Sequence, residues 1–150
     1  MENQSQQLNK EYKAILLLDL LQASTLIILW VLIKSGLIKG PDVEPLGGSI
    51  LRPLLYFMGI SSLFVTVYLN KVLLKKVPTD NFKTLVNKLK VQSLTVIGVC
   101  LMPSMYGIVA YALLGSQKDF YIFATMSFLM IGVFFPRYEK WEAYALGGRV

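Results

Sequence analysis

Four long apolar runs constrain this chain more than any other feature of it: residues 14–33, 50–69, 91–114 and 120–137. A bilayer's hydrocarbon core, about 30 Å thick, needs roughly 20 apolar residues at about 1.5 Å of helical rise each. Three of the runs meet that length outright. The fourth is apolar from Phe120 to Phe135 and reaches it through the amphipathic residues that follow. In hydrocarbon the backbone must satisfy its own amides, so each run is expected to be helical. The clearest unit is a helical hairpin, Val91 to Trp141, whose two arms meet at the polar turn Gly115-Ser116-Gln117-Lys118-Asp119. The expected fold is all-α: one domain of 150 residues, an integral membrane four-helix bundle built as two antiparallel hairpins.

The charge pattern sets an expected orientation. Lys10 and Lys13 precede the first run, Lys71, Lys75, Lys76, Lys83, Lys88 and Lys90 lie between the second and third, and Arg137, Lys140 and Arg149 follow the fourth. That places eleven basic residues on one side of a four-span topology and only Lys34, Lys39, Arg52 and Lys118 on the other. The positive-inside bias then puts both termini and the loop 70–90 in the cytoplasm. The net charge of +6 is therefore accounted for by topology, and no nucleic-acid partner is expected. The expected partners are the lipid bilayer and either another membrane protein or a second copy of the chain. The Lys71–Lys90 loop is a candidate contact for anionic lipid. Within that loop Phe82, Leu85, Val86 and Leu89 recur at helical spacing. They form either an amphipathic helix in the head-group layer or a prolongation of the third span.

Composition removes most enzyme chemistry. The chain has no His and one Cys, Cys100, inside the third run, so imidazole catalysis, structural zinc and an intrachain disulfide have no residues to use. No base stands ready to activate Ser24, Ser61 or Ser104, and the Gly47-Gly48 and Gly147-Gly148 pairs lack the setting of phosphate loops. No enzyme activity, cofactor or metal is expected.

What remains is polar chemistry inside apolar runs. Asp19 is the one acidic residue within a span. Gln22, three residues on, shares its helical face, and Ala23, Ser24 and Thr25 are small enough to admit a neighbouring helix. An ionisable group in a span is a functional candidate, although Asp19 lies five residues into its run, where it would also serve as an anchor or a helix–helix hydrogen bond. Ser104 is a conceivable co-ligand, and Pro103 should kink the third span. The second span carries Gly59, Ser61 and Ser62, a small-residue patch expected to pack on the first. Beyond the fourth run, Arg137, Tyr138, Glu139, Lys140, Trp141 and Glu142 suit either an interfacial anchor or a surface for a partner.

Two resemblances add to this reading. The stretch Pro103-Ser104-Met105-Tyr106-Gly107-Ile108-Val109-Ala110 resembles one helix of the rotary-ATPase ring proteolipids, with Pro103 and Ser104 where that family holds its ion-binding carboxylate. The C-terminal half, ending Phe135-Pro136-Arg137-Tyr138-Glu139-Lys140-Trp141-Glu142, resembles a loose set of small uncharacterised bacterial four-span proteins. That second resemblance implies an architecture only, without an assigned activity; the expected location is a bacterial inner (cytoplasmic) membrane. The expected function is a non-enzymatic accessory or assembly subunit of a larger membrane complex. The alternative is a small ion or proton channel, transporter or ring-forming proteolipid-like protein centred on Asp19.

Overall fold

The computed structural model describes residues 2–40, 48–75 and 82–145. Among these all regular structure is helix, as α1 (Glu2–Lys34), α2 (Gly48–Lys75), α3 (Phe82–Cys100), α4 (Met102–Leu114), α5 (Gln117–Phe134) and α6 (Tyr138–Ala145). Three stretches are long and apolar enough to cross a membrane, Ser5–Lys34, Ser49–Val72 and Phe82–Leu114. A fourth is formed if α5 and α6, bent by 43° at their junction, count as one.

The breaks have local causes. Pro103 supplies no backbone N–H, and the third span is interrupted two residues earlier, at Leu101, dividing α3 from α4. Gly115, at φ 66°, takes the left-handed conformation that closes α4, and its N–H donates to the Tyr111 carbonyl at 3.0 Å. Ser116 then caps α5, its Oγ accepting from the Asp119 N–H at 3.3 Å. The expected polar turn 115–119 is thus only two residues long, because Gln117 already belongs to α5. Pro136 ends that helix in turn, holding Phe135 in an extended conformation (φ −54°, ψ 133°).

The described residues of 70–90, where a helical stretch from Phe82 to Leu89 is expected, are all helix. α2 runs on to Lys75 and α3 starts at Phe82, and residues 76–81, part of the expected lipid contact, lie outside the described residues. Phe82, Leu85, Val86 and Leu89 prolong the third span instead of forming a separate helix. Leu85, Val86 and Leu89 stay in phase with Ser93, Val96, Ile97 and Cys100, and all seven are buried. Residues 41–47 and Arg149 also lie outside the described residues.

Packing differs from two paired hairpins. α4 and α5 form the close hairpin expected of them, while α1 packs on α3, α5 and α6, and α2 packs on α3 and α4. The small-residue patch of α2 serves a ring instead of α1: a Cβ at Gly59 would lie 2.6 Å from Phe123 Cε1. One end of the bundle is closed by Leu8, Ile15, Leu85, Val86, Leu89 and Trp141. The middle holds Leu26, Val96, Ile97, Cys100, Met130 and Ile131, and the other end Ile33, Tyr111, Phe120 and Ala124. There the chain beyond α1 is tied down by the Tyr111 hydroxyl, which donates to the Ile38 carbonyl at 2.6 Å.

The outer surface is unusually apolar for a protein folded in water, and the largely apolar core also holds polar groups. Leu17, Leu21, Phe57, Phe64, Leu129 and Val133 are each about two-thirds exposed or more, whereas Asp19, Thr66, Ser104 and Ser127 are wholly buried. An outer surface so apolar around a core that holds hydroxyls and a carboxylate is compatible with a lipid surrounding.

Candidate functional site

The inward face of α1 is drawn by Leu8, Ile15, Asp19, Leu26 and Ile33, which recur at steps of four or seven and are each at most 3% exposed. Asp19 therefore occupies a core position near the midpoint of a 33-residue helix. Its neighbours along the face belong to different clusters. Ile15 packs with Leu89 and Trp141, and Leu26 with Val96, Ile97 and Cys100, so the carboxylate sits between two apolar layers. Gln22 follows one turn later on the same side.

Neither carboxylate oxygen of Asp19 has a hydrogen-bond partner, and neither does the side-chain oxygen of Gln22. Three acceptor atoms are thus buried within one turn of helix without a donor. A helix–helix hydrogen bond, one of the roles expected of Asp19, is not made. An ionised carboxylate in such a place is strongly disfavoured unless a positive species joins it. A proton or a small cation would supply that species. Hard divalent ions take six or more oxygens, twice what this turn offers, whereas a proton needs only one acceptor.

Ser104 is not brought to this site. It lies at the start of α4, where its Oγ donates to the Leu101 carbonyl at 2.6 Å and its N–H donates to Ser127 Oγ of α5 at 2.9 Å. Those bonds satisfy polar groups around the break at Leu101 and Pro103.

A second polar cluster, at the opposite end of the bundle, joins residues that sequence reasoning left apart. Asp119 is 5% exposed and accepts from Arg52 Nε at 2.9 Å and from the Tyr56 hydroxyl at 2.9 Å, while its own N–H is capped by Ser116. The Ser116–Asp119 spacing is a readable N-cap signal. The partners on α2, 67 and 63 residues away in sequence, are not readable locally. Both oxygens of the Asp119 carboxylate have donors, which marks a clasp between α2 and the α4–α5 turn.

The segment 137–142 divides by exposure. Trp141 is 4% exposed and, with Tyr138, packs edge-on against Tyr12, the ring centroids 5.5 and 5.3 Å apart. The Tyr12 hydroxyl donates to the Pro136 carbonyl at 2.9 Å. Tyr138 and Glu142 are half-buried, and Arg137, Glu139 and Lys140 are exposed. The aromatic half of the expected partner surface is therefore spent on α1, and Arg137, Glu139 and Lys140 face outward.

Among the described residues no group of three or more Asp, Glu, Cys or His side chains is placed to hold a metal ion. Cys100 is fully buried. No family model matches the chain, and neither does any curated protein or solved structure.

Proposed function

We propose that this chain is an integral membrane protein with both termini on the cytoplasmic side of a bacterial inner membrane. In this reading it binds and exchanges a proton at Asp19, as a small proton-conducting or proton-coupled element. The carrying observation is the buried Asp19–Gln22 turn, with three unpaired acceptor oxygens between apolar layers. Ionisable groups at such depth are costly, and a group with no donor is one whose charge is completed from outside. The orientation is supported by the clustering of Leu8, Leu85 and Trp141, which gathers the lysine-rich ends of α1 and α3 and the start of α6 at one end.

The test is proton flux in vesicles holding the purified full chain and a trapped pH dye, under an imposed potassium diffusion potential. Wild type is expected to dissipate the gradient above the rate of empty vesicles, and Asp19→Asn to return it to that rate. Wild-type flux equal to empty vesicles, or Asp19→Asn flux equal to wild type, contradicts the proposal.

A second reading, an accessory or assembly subunit, is favoured by a different feature. An open apolar groove of about 270 Å³ runs between α2 and the α3–α4 break, lined by Met58, Ser61, Ser62, Val65, Val99 and Met102, with Tyr106 beside it. Small hydroxyl residues in an apolar groove suit the close approach of another transmembrane helix. Under this reading a stoichiometric membrane-protein companion survives mild detergent extraction from native membranes and is lost in Ser61→Phe. Wild type that purifies without one contradicts it.

A further inference from the structure

The bend between α5 and α6 roofs a polar cavity of about 60 Å³ that the Asp19 site does not use. We propose that this cavity holds the phosphate head group of one anionic phospholipid. The inference rests on the membrane placement above and not on the chemistry of Asp19.

Its lining is chemically selective. Arg137 and Lys140 contribute the charge, and Asn70, Gln92 and Ser93 contribute neutral polar groups from α2 and α3. No acidic side chain is among the lining residues. Arg137 and Lys140 form no ion pair with another described residue, so both cations are available to an anion. Asn70 Oδ1 already accepts from the Gln92 side-chain amide at 3.2 Å, which braces α2 against α3. Guanidinium and ammonium groups beside neutral donors are the combination that recognises phosphate oxygens.

The surroundings choose a lipid over a soluble phosphate. Val133 and Phe134 form an apolar wall that continues from the cavity, and Val133 is 70% exposed on the outer face of α5. An acyl chain attached to a head group in the cavity would lie along that strip. Tyr144, half-buried at the rim, is an amphipathic ring of the kind that favours the head-group level. The cavity also lies at the lysine-rich end, which faces the leaflet where anionic lipid contributes a negative surface potential. This site differs from the lipid contact expected of the loop 70–90, since its two cations come from the start of α6 and the residue before it.

The experiment is native mass spectrometry of the full chain released from detergent micelles, titrated with phosphatidylglycerol or, separately, phosphatidylcholine. Wild type is expected to retain one phosphatidylglycerol under activation that strips phosphatidylcholine. Arg137→Gln with Lys140→Gln, both exposed and therefore tolerated by the fold, should weaken that retention at least tenfold. Ser93→Leu, which fills the cavity and keeps both charges, should weaken it as well, with helicity followed by circular dichroism. Lys10→Gln with Lys13→Gln removes the same charge from the same end and should leave retention unchanged. Equal retention of the two lipids by wild type overturns the proposal, as does undiminished retention in the Arg137/Lys140 variant. A loss in the Lys10/Lys13 variant as large as in the Arg137/Lys140 variant also overturns it. A chain that stayed monodisperse without detergent would instead overturn the membrane placement itself.

Discussion

Arg52 Nε stands 2.9 Å from Asp119 Oδ2, joining the first turns of α2 to the start of α5 across 67 residues of sequence. The carboxylate is nearly buried, while the arginine side chain is 42% exposed, so water screens only one member of the pair. Tyr56 donates to the other carboxylate oxygen, and the three side chains hold α2 to the α4–α5 turn.

Removing Arg52 as Arg52→Gln should therefore lower stability by about 1 kcal/mol, below the roughly 1.5–3 kcal/mol of a fully buried charge-assisted bond. Tyr56→Phe should cost a similar amount, and the double variant less than their sum, because both donors serve one carboxylate. Denaturation in a fixed detergent, monitored by helical circular dichroism, checks the three values. Strict additivity would mean that the contacts do not act as a unit.

Gly59 is a packing requirement. A Cβ there would fall 2.6 Å from the ring of Phe123, which is 1% exposed and boxed in by Leu55, Ala110 and Leu114. Gly59→Ala should destabilise by about 1–3 kcal/mol through overpacking. Gly98→Ala, where no heavy atom lies within 4 Å of the added carbon, should be neutral or slightly stabilising. Phe123→Leu should relieve part of the Gly59→Ala loss, and thermal scans of the four chains measure it.

Trp141 should behave as a core residue despite its place near the end of the described chain. It packs with Leu8, Ile15 and Leu89, so Trp141→Ala should cost about 3–5 kcal/mol, far more than an interfacial anchor would. The same stability measurement decides it, with Lys140→Ala, an exposed neighbour, expected to be near neutral.

Orientation can be read with thiols. Cys100 is inaccessible, so an aqueous maleimide should label the native chain only after denaturation. In a Cys100→Ala background, Leu37→Cys and Thr84→Cys place exposed thiols at opposite ends of the bundle. Intact cells should label position 37 and not position 84, and inverted membrane vesicles the reverse. Labelling of both from one side would contradict the placement of the lysine-rich end in the cytoplasm.

The parts of this fold written in local chemistry were the legible ones. Gly115 and Ser116 announce the hairpin turn, Pro103 the interrupted third span, and the lengths of the apolar runs the long helices. The continuity of α3 was legible too, in the unbroken helical spacing from Leu85 to Cys100, but lysines on the other face suggested a separate surface helix. Partner choice was not legible. Gly59 and Ala23 each advertise a close approach without saying to what, and only the third dimension assigns Gly59 to Phe123. Asp19 and Gln22 were visible as one face from their spacing alone. That the face lacks a donor depends on what α3, α5 and α6 bring to it, which no local pattern encodes.

The central claim is that the carboxyl of Asp19 carries an exchangeable proton inside the bundle, and infrared difference spectroscopy of the reconstituted chain tests it most directly. The account predicts a carboxylic-acid carbonyl band in wild type that shifts when water is replaced by heavy water and is absent from Asp19→Asn. Wild-type and Asp19→Asn spectra that superimpose throughout the carboxylic-acid region would contradict it.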